Sequence, residues 1–356
     1  MKRIVFYSAF ILITIIVETV NWICLLLDEL IFASYRRIKI KSPLFIIGMP
    51  RSGTTFLFNI MGADKDRFTS IKLWEILFAP SIIQKFLLIS IFKIDKKLNG
   101  ILFRKLKKWD KRLFAPYEKI HRISFFNIEE DEFILIHILA SALMVFIFPR
   151  IKKIESLTKF DEDVSSRRKK RIMSFYKKCV QKHIYVFGMN KIYLSKSPSH
   201  ASKILSLKET FIDCKFIYML RIPEQTISSA IGMYKVYNKI FHSQAKLQRL
   251  INGTVILADY MYDYPLRKVE SWNTASSTII KFEDIIKCLD DIIIKLYEQF
   301  HYELSDNFRK IIIDQRKKSV AYKSPHQHSA SMYGLDSNDI HSRYRLIYSQ
   351  FYKFQP

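Results

Sequence analysis

The sequence predicts an α/β protein, a P-loop-like, mostly parallel sheet flanked by helices on both faces. Three observations lead there. Residues 44–47 form a short apolar run bounded by Pro43 and Gly48, then a tight Met49-Pro50-Arg51-Ser52-Gly53 turn, then a helical stretch from Thr54 to Met61. Strand-then-helix units recur from residues 192, 215 and 277. No internal repeat or low-complexity linker interrupts them. Such alternation places parallel strands in one sheet with crossover helices on both faces. The economical division is an apolar N-terminal helix and lead-in over 1–40, and one catalytic domain over 41–356.

Residues 4–17 are apolar apart from Ser8 and Thr14, and Glu18, Asn21 and Asp28 then recur at roughly helical spacing. No small-residue cleavage site follows, and a spanning helix would carry Glu18 and Asn21 at depth, which is costly. The pattern predicts a very apolar amphipathic helix, lying on a membrane through residues 4–32 or docked on the domain.

Strand, glycine-bearing turn and helix start form a phosphate cradle, because backbone N–H groups and the helix dipole converge on one anion. The spacing Gly48-x4-Gly53-Thr54-Thr55 approaches a Walker A loop, but Thr54 stands where that loop needs lysine. The turn's cation is Arg51. A phosphate or sulfate end group held by Arg51, Ser52, Gly53, Thr54 and Thr55, with no metal, fits this better than an NTPase.

Residues 68–73 read as a second strand with Trp74-Glu75 just past its end. Reactive crevices in open α/β sheets lie at the carboxyl ends of strands. A carboxylate there can take a proton from an acceptor hydroxyl, and Glu75 is the candidate base; the alternative is a solvated helix-start residue. Residues 77–114 alternate apolar and Lys-rich stretches and predict two amphipathic helices. Residues 128–132 open a helix with acids that suit its dipole, and 133–148 continue as a buried core helix. Glu130 and His121 are further candidates for acceptor binding, whereas His137 reads as a satisfied core histidine. The charged segment 162–182 reads as a solvated helix.

Strand 192–195 leads to Lys196-Ser197-Pro198-Ser199-His200, with Ser199 able to cap the next helix. A lysine at a strand's end beside a helix start is poised to neutralise an oxyanion. Strand 215–220 ends at Arg221, and Pro223 opens a helix carrying Ser229; an arginine fork plus a hydroxyl suits a phosphate dianion. The stretch 277–284 reads as a strand leading into a helix from Ile285 to Phe300.

The net charge of +25 implies anionic company. No zinc-finger spacing, RNP-like segment or recognition helix points to nucleic acid. Cys24, Cys179, Cys214 and Cys288 are scattered, without a C-x-x-C pair, and read as packed thiols in a reducing, cytoplasmic setting.

Pro50-Arg51-Ser52-Gly53-Thr54-Thr55-Phe56-Leu57 resembles the 5′-phosphosulfate loop of sulfotransferases that use 3′-phosphoadenosine 5′-phosphosulfate (PAPS). It is closest to the group with a Pro-Arg-Ser-Gly-Thr-Thr loop, which includes tyrosylprotein sulfotransferases and many bacterial members. The resemblance runs from about residue 28 to the end. It implies that Arg221 and Ser229 bind the 3′-phosphate of PAPS and that Lys196, in a Lys-x-Pro, contacts the leaving phosphate oxygen. It also implies that Glu75 matches a catalytic glutamate. Ile222 replaces the family's usual aspartate before the proline, so an orienting carboxylate is missing there. Residues 277–284 resemble a Tyr-Glu-Asp segment with Phe282 for Tyr, which supports the fold. In relatives the C-terminal loop can close over the nucleotide, which singles out Lys323 and His328. The expected activity is sulfuryl transfer from PAPS to a hydroxyl (or amine) acceptor such as a glycan, lipid or small metabolite, without metal. The rivals are a P-loop nucleotide kinase or NTPase and a non-catalytic membrane-associated anion-binding protein.

Overall fold

A computed structural model describes residues 2–115, 123–148, 151–240, 246–271, 275–321 and 329–352. His121, Lys323 and His328 lie outside the described residues. Five strands form one all-parallel sheet: β1 (Leu44–Gly48), β2 (Phe68–Thr69), β3 (Ile192–Lys196), β4 (Lys215–Leu220) and β5 (Ser277–Lys281), in the order β2-β3-β1-β4-β5. The helices used below are α1 (Lys2–Ile31), α2 (Thr54–Met61), α3 (Leu73–Phe78), α4 (Ile82–Lys97), α5 (Ile101–Phe114), α6 (Ser166–Phe187), α7 (Pro223–Ile240) and α8 (Leu247–Glu270).

Alternation along the strands sorts the core into two layers, since successive side chains point to opposite faces. Phe45, Ile47, Phe216, Tyr218 and Leu220 pack with α6 and α8 residues such as Tyr176, Val180 and Met261. Leu44, Ile46, Ile217 and Met219 pack on the other side with Leu57, Phe58 and Met61 of α2. Every residue of β1 is buried, as a parallel strand covered on both faces requires. From β1 the chain runs to β2 and β3 on one side, then crosses to β4 on the other. That reversal opens a crevice at the carboxyl end of β1.

Several expectations need correction. The second strand stops at Thr69, and α3 begins at Leu73. The helix expected over 128–148 is instead a 3-10 helix over Asp131–Ile138, broken at Leu139 (φ 51°), followed by one short turn over Met144–Ile147. The acids at its start are not simple dipole partners, because Asp131 and Glu132 are fully buried. Ser197, not Ser199, caps the turn after β3 by accepting the Ser199 N–H. Cys288 is exposed rather than packed, and the helix expected over 285–300 breaks there. His137 is the satisfied core histidine its context suggested: its ring nitrogens meet Glu18 at 2.9 Å and the Ile76 carbonyl at 2.7 Å.

Helix α1 docks on the domain through its polar residues. Asn21 accepts from Gln84 (2.7 Å), and Asp28 accepts from the Ile82 and Ile83 N–H groups and from Lys182. Among the described residues, no helix is long and apolar enough to cross a membrane.

Candidate active site

The β1–α2 turn is held open by backbone that side chains rarely adopt. Arg51 has φ +75°, and Gly53 has φ +92° and caps α2. A Cβ on Gly48 would lie 2.6 Å from the Met219 carbonyl and 2.7 Å from Ser52 Oγ; one on Gly53 would lie 2.2 Å from the Phe282 ring. Both glycines are therefore needed for close approach. Ser52 Oγ is buried and finds no partner among the described residues. A buried hydroxyl left in this way is suited to an incoming acceptor oxygen.

Arg51, Arg221 and Ser229 come together although 170 residues separate the two arginines. Arg221 Nη1 donates to the Arg51 carbonyl (3.1 Å), and Arg51 Nε donates to Ser229 Oγ (3.0 Å). The register explains this. Gly48 pairs with Met219 and Leu220 pairs with Lys281, so Arg221 emerges beside the cradle on one side and Phe282 on the other. The guanidinium of Arg221 lies 4.5 Å from the Phe282 ring centre, a cation–π contact. Phe282, read from sequence as fold support only, thus forms a wall between Gly53 and Arg221. Burial pushes the Arg221 pKa down; the Glu283 carboxylate opposes this, while the Arg51 charge adds to it. The Arg221 Nε also lacks a partner among the described residues. Two crowded guanidinia and orphaned donors define a site that an anion would stabilise.

Glu283 brings a carboxylate beside Ile222, the residue before Pro223. Its carboxylate faces the Ile222 N–H at 3.5 Å and accepts from Tyr352 OH at 3.1 Å. Tyr262, which carried no signal in the sequence, donates to the Arg221 carbonyl at 2.8 Å.

Lys196 lies at the end of β3, level with Ile46, and is fully buried. Its ammonium donates to Glu130 at 2.8 Å. The two acids that follow Glu130 reach separate partners. Asp131 accepts from Ser195 (2.8 Å) and Tyr193 (2.5 Å) and meets His200 Nε2 at 3.1 Å; Glu132 accepts from Lys203 at 2.8 Å. Consecutive residues entering a 3-10 helix fan out by about 120°. One acidic triplet therefore serves Lys196, His200 and Lys203, all displayed at the end of β3. Burial raises the Asp131 pKa, but hydrogen bonds from His200, Tyr176 and Tyr193 hold it below the usual carboxylate range.

Glu75 is set apart from this group. It is buried, with Oε1 on the Lys72 N–H (3.0 Å), Oε2 on His183 (2.7 Å) and Lys85 Nζ 3.9 Å away. His183 in turn meets Thr69 Oγ1 at 2.7 Å. Burial favours the neutral acid, yet His183 and Lys85 outweigh it and lower the pKa. Both oxygens are committed, so Glu75 is neither a solvated helix cap nor an open carboxylate. Among the described residues, no group of three or more His, Cys, Asp or Glu side chains could hold a metal ion.

A parallel sheet of this order with an anion cradle at the end of β1 defines a P-loop-like α/β protein. The chain belongs to the sulfotransferase family, which it matches over residues 43–306. It is 28% identical over 202 residues to the omega-hydroxy-beta-dihydromenaquinone-9 sulfotransferase Stf3 of Mycobacterium bovis and to that of Mycobacterium tuberculosis. Each match takes in 56% of this chain, which spans about half the length (46%) of those curated relatives. The fold is that of two crystal structures: sulfotransferase STF9 from Mycobacterium avium, with TM-score 0.71 at 15% identity, covering 92% of this chain and 81% of that one, and sulfotransferase STF1 from M. tuberculosis H37Rv, with TM-score 0.65 at 16% identity, covering 92% and 82%.

Proposed function

We propose that this chain is a PAPS-dependent sulfotransferase that modifies a hydroxyl (or amine) on a lipid-like acceptor. The observation that carries the reading is the convergence of Arg51, Ser229 and Arg221 around the cradle. Residues 51–55 hold the 5′-phosphosulfate end, and Arg221 with Ser229 holds the 3′-phosphate. When bound, PAPS supplies an activated sulfuryl group. The orphaned Ser52 Oγ and Arg221 Nε fit an anionic nucleotide.

In the transfer, the acceptor oxygen forms a bond to sulfur as the bond from sulfur to the 5′-phosphate oxygen breaks. Lys196 and Arg51 neutralise the charge gathering on that phosphate oxygen, and the acceptor proton passes to a carboxylate. Glu130 suits that role better than Glu75, because Glu130 touches Lys196 and its side chain is partly exposed, whereas Glu75 is buried against His183 and Lys85. Fixed cations that need no reorganisation supply most of the stabilisation in loose transfers of this kind.

A lipid-like acceptor is suggested by the name of the curated relatives. The free thiols favour a cytoplasmic setting, and the apolar outer side of α1 favours work at a membrane surface. The test is labelled-sulfate transfer into cell-extract fractions by the purified chain. Arg51→Ala and Lys196→Ala are expected to abolish turnover while melting cooperatively, and wild-type turnover in either would refute the assignment. Thermal stabilisation by ATP–Mg²⁺ but not by 3′-phosphoadenosine 5′-phosphate would instead favour a kinase or NTPase.

A further inference from the structure

Helix α1 is inverted relative to an ordinary surface helix. Asn21, Leu25 and Asp28 form its buried stripe, with Glu18 on His137 beside them. At 100° per residue the opposite side carries Ile16, Val20, Ile23, Leu27 and Leu30, all exposed, with Leu30 at 79%. A monomer in water rarely leaves so long an apolar stripe uncovered.

The stripe does not stand alone. Helix α4 packs against α1 and, with Leu98 just past its end, shows exposed Leu87, Ile91, Ile94 and Leu98 at spacings of four, three and four. Helix α5, packed against α4, adds exposed Trp109 and Leu113 among Arg104, Lys105, Lys107, Lys108, Lys111 and Arg112, all exposed. Its one acid, Asp110, is buried and turned inward onto Ser124 Oγ (2.9 Å) and the Phe125 N–H (2.8 Å). Apolar residues with an aromatic anchor, flanked on α5 by exposed cations, are complementary to the interface of an anionic bilayer.

We propose that α1, α4 and α5 form a single docking face that seats the chain on an anionic lipid bilayer without crossing it. This deepens the lipid-like acceptor reading, but the docking itself stands independently of the chemistry. The face connects to the candidate site. Trp109 stacks on Phe125 (5.7 Å between ring centres), and the segment from Phe125 runs alongside α3, with the Trp74 N–H on the Phe125 carbonyl, to Glu130 on Lys196. Five residues span at most roughly 17 Å, so the backbone of Glu130, which meets Lys196, lies no farther than that from Phe125 at the edge of the face.

The test is sedimentation of the full chain with vesicles of phosphatidylglycerol and phosphatidylcholine. The expected result is binding that weakens with salt and is lost on pure phosphatidylcholine. Ile23→Glu with Leu30→Glu, and separately Lys107→Glu with Lys111→Glu, should each weaken binding by about tenfold or more. Neither pair should change stabilisation by 3′-phosphoadenosine 5′-phosphate, which reports folding and the nucleotide grip. Lipids brominated along their chains should quench emission that Trp109→Phe removes. Unchanged vesicle binding in both double variants would overturn the proposal. So would a chain that ignores vesicles and self-associates through α1, shown by sedimentation velocity and reversed by Ile23→Glu with Leu30→Glu.

Discussion

Replacing each of two glutamates by glutamine separates chemistry from architecture. Glu75→Gln removes the charge that pairs with His183 and with Lys85, which is buried and otherwise held by the Ala79 carbonyl (2.6 Å). Removing one partner of a buried pair costs about 3–5 kcal/mol. At roughly 2–4 °C per kcal/mol for a large domain, the midpoint should fall by about 6–20 °C. Turnover of the folded fraction should stay within a few-fold of wild type. Glu130→Gln should do the reverse. Loss of a general base lowers kcat by about 10²–10⁴-fold. The same change frees Lys196, which Glu130 holds at 2.8 Å. With an effective dielectric of about 20, the Coulomb limit for that contact is roughly 6 kcal/mol. Recovering even about 1.4 kcal/mol would tighten the nucleotide product tenfold. The assays are calorimetric titration of 3′-phosphoadenosine 5′-phosphate, single-turnover sulfate transfer and thermal melting. Wild-type kcat in Glu130→Gln, or a lost kcat in Glu75→Gln with an unchanged midpoint, would refute the assignment of roles.

Three further outcomes follow from the same geometry. Arg221→Ala removes charge-assisted bonds worth about 1.5–3 kcal/mol. It should cost roughly 10–150-fold in affinity for 3′-phosphoadenosine 5′-phosphate and little for adenosine 5′-phosphate, measured by titration. Gly53→Ala adds a left-handed residue, costing about 1–2 kcal/mol, and drives a methyl into Phe282 at 2.2 Å. It should weaken nucleotide binding, and the added Phe282→Ala should relieve the clash but not the backbone strain. Asp131 and Glu75 both have depressed pKa values in the folded chain. Their stabilisation is complete above the unfolded carboxylate pKa of about 4 and is lost as pH falls through the folded values. The urea midpoint should therefore drop as pH falls below about 4, and Asp131→Asn should flatten that drop while lowering stability at neutral pH.

Much of the candidate site was legible because its signals are local. The cradle at residues 48–55, Lys196 after β3 and Arg221 after β4 are each announced by a strand ending in a glycine or a cation beside a helix start. Those rules involve neighbours within one turn. The acidic triplet was misread for the complementary reason. Dipole partnership explains acids at a helix start, but whether they face water depends on what the sheet brings opposite them. Here Lys196, His200 and Lys203 arrive from about 70 residues away. The neighbours of Glu75 were hidden in the same way, because His183 comes from α6 and nothing near residue 75 signals it. Phe282 looked like a packing residue until the β4–β5 register set its ring between Gly53 and Arg221.

By itself the sequence determined the strand–helix alternation, the cradle with an arginine where a lysine would serve an NTPase, and the order in which the cations appear. These follow from periodicity, backbone allowance and charge, all properties of short stretches. The tertiary structure decided which carboxylate stands by Lys196, that the two distant arginines share a crevice, and that α1 turns its polar residues inward. Each of those depends on strand order and register, which bring together side chains that no local rule can pair.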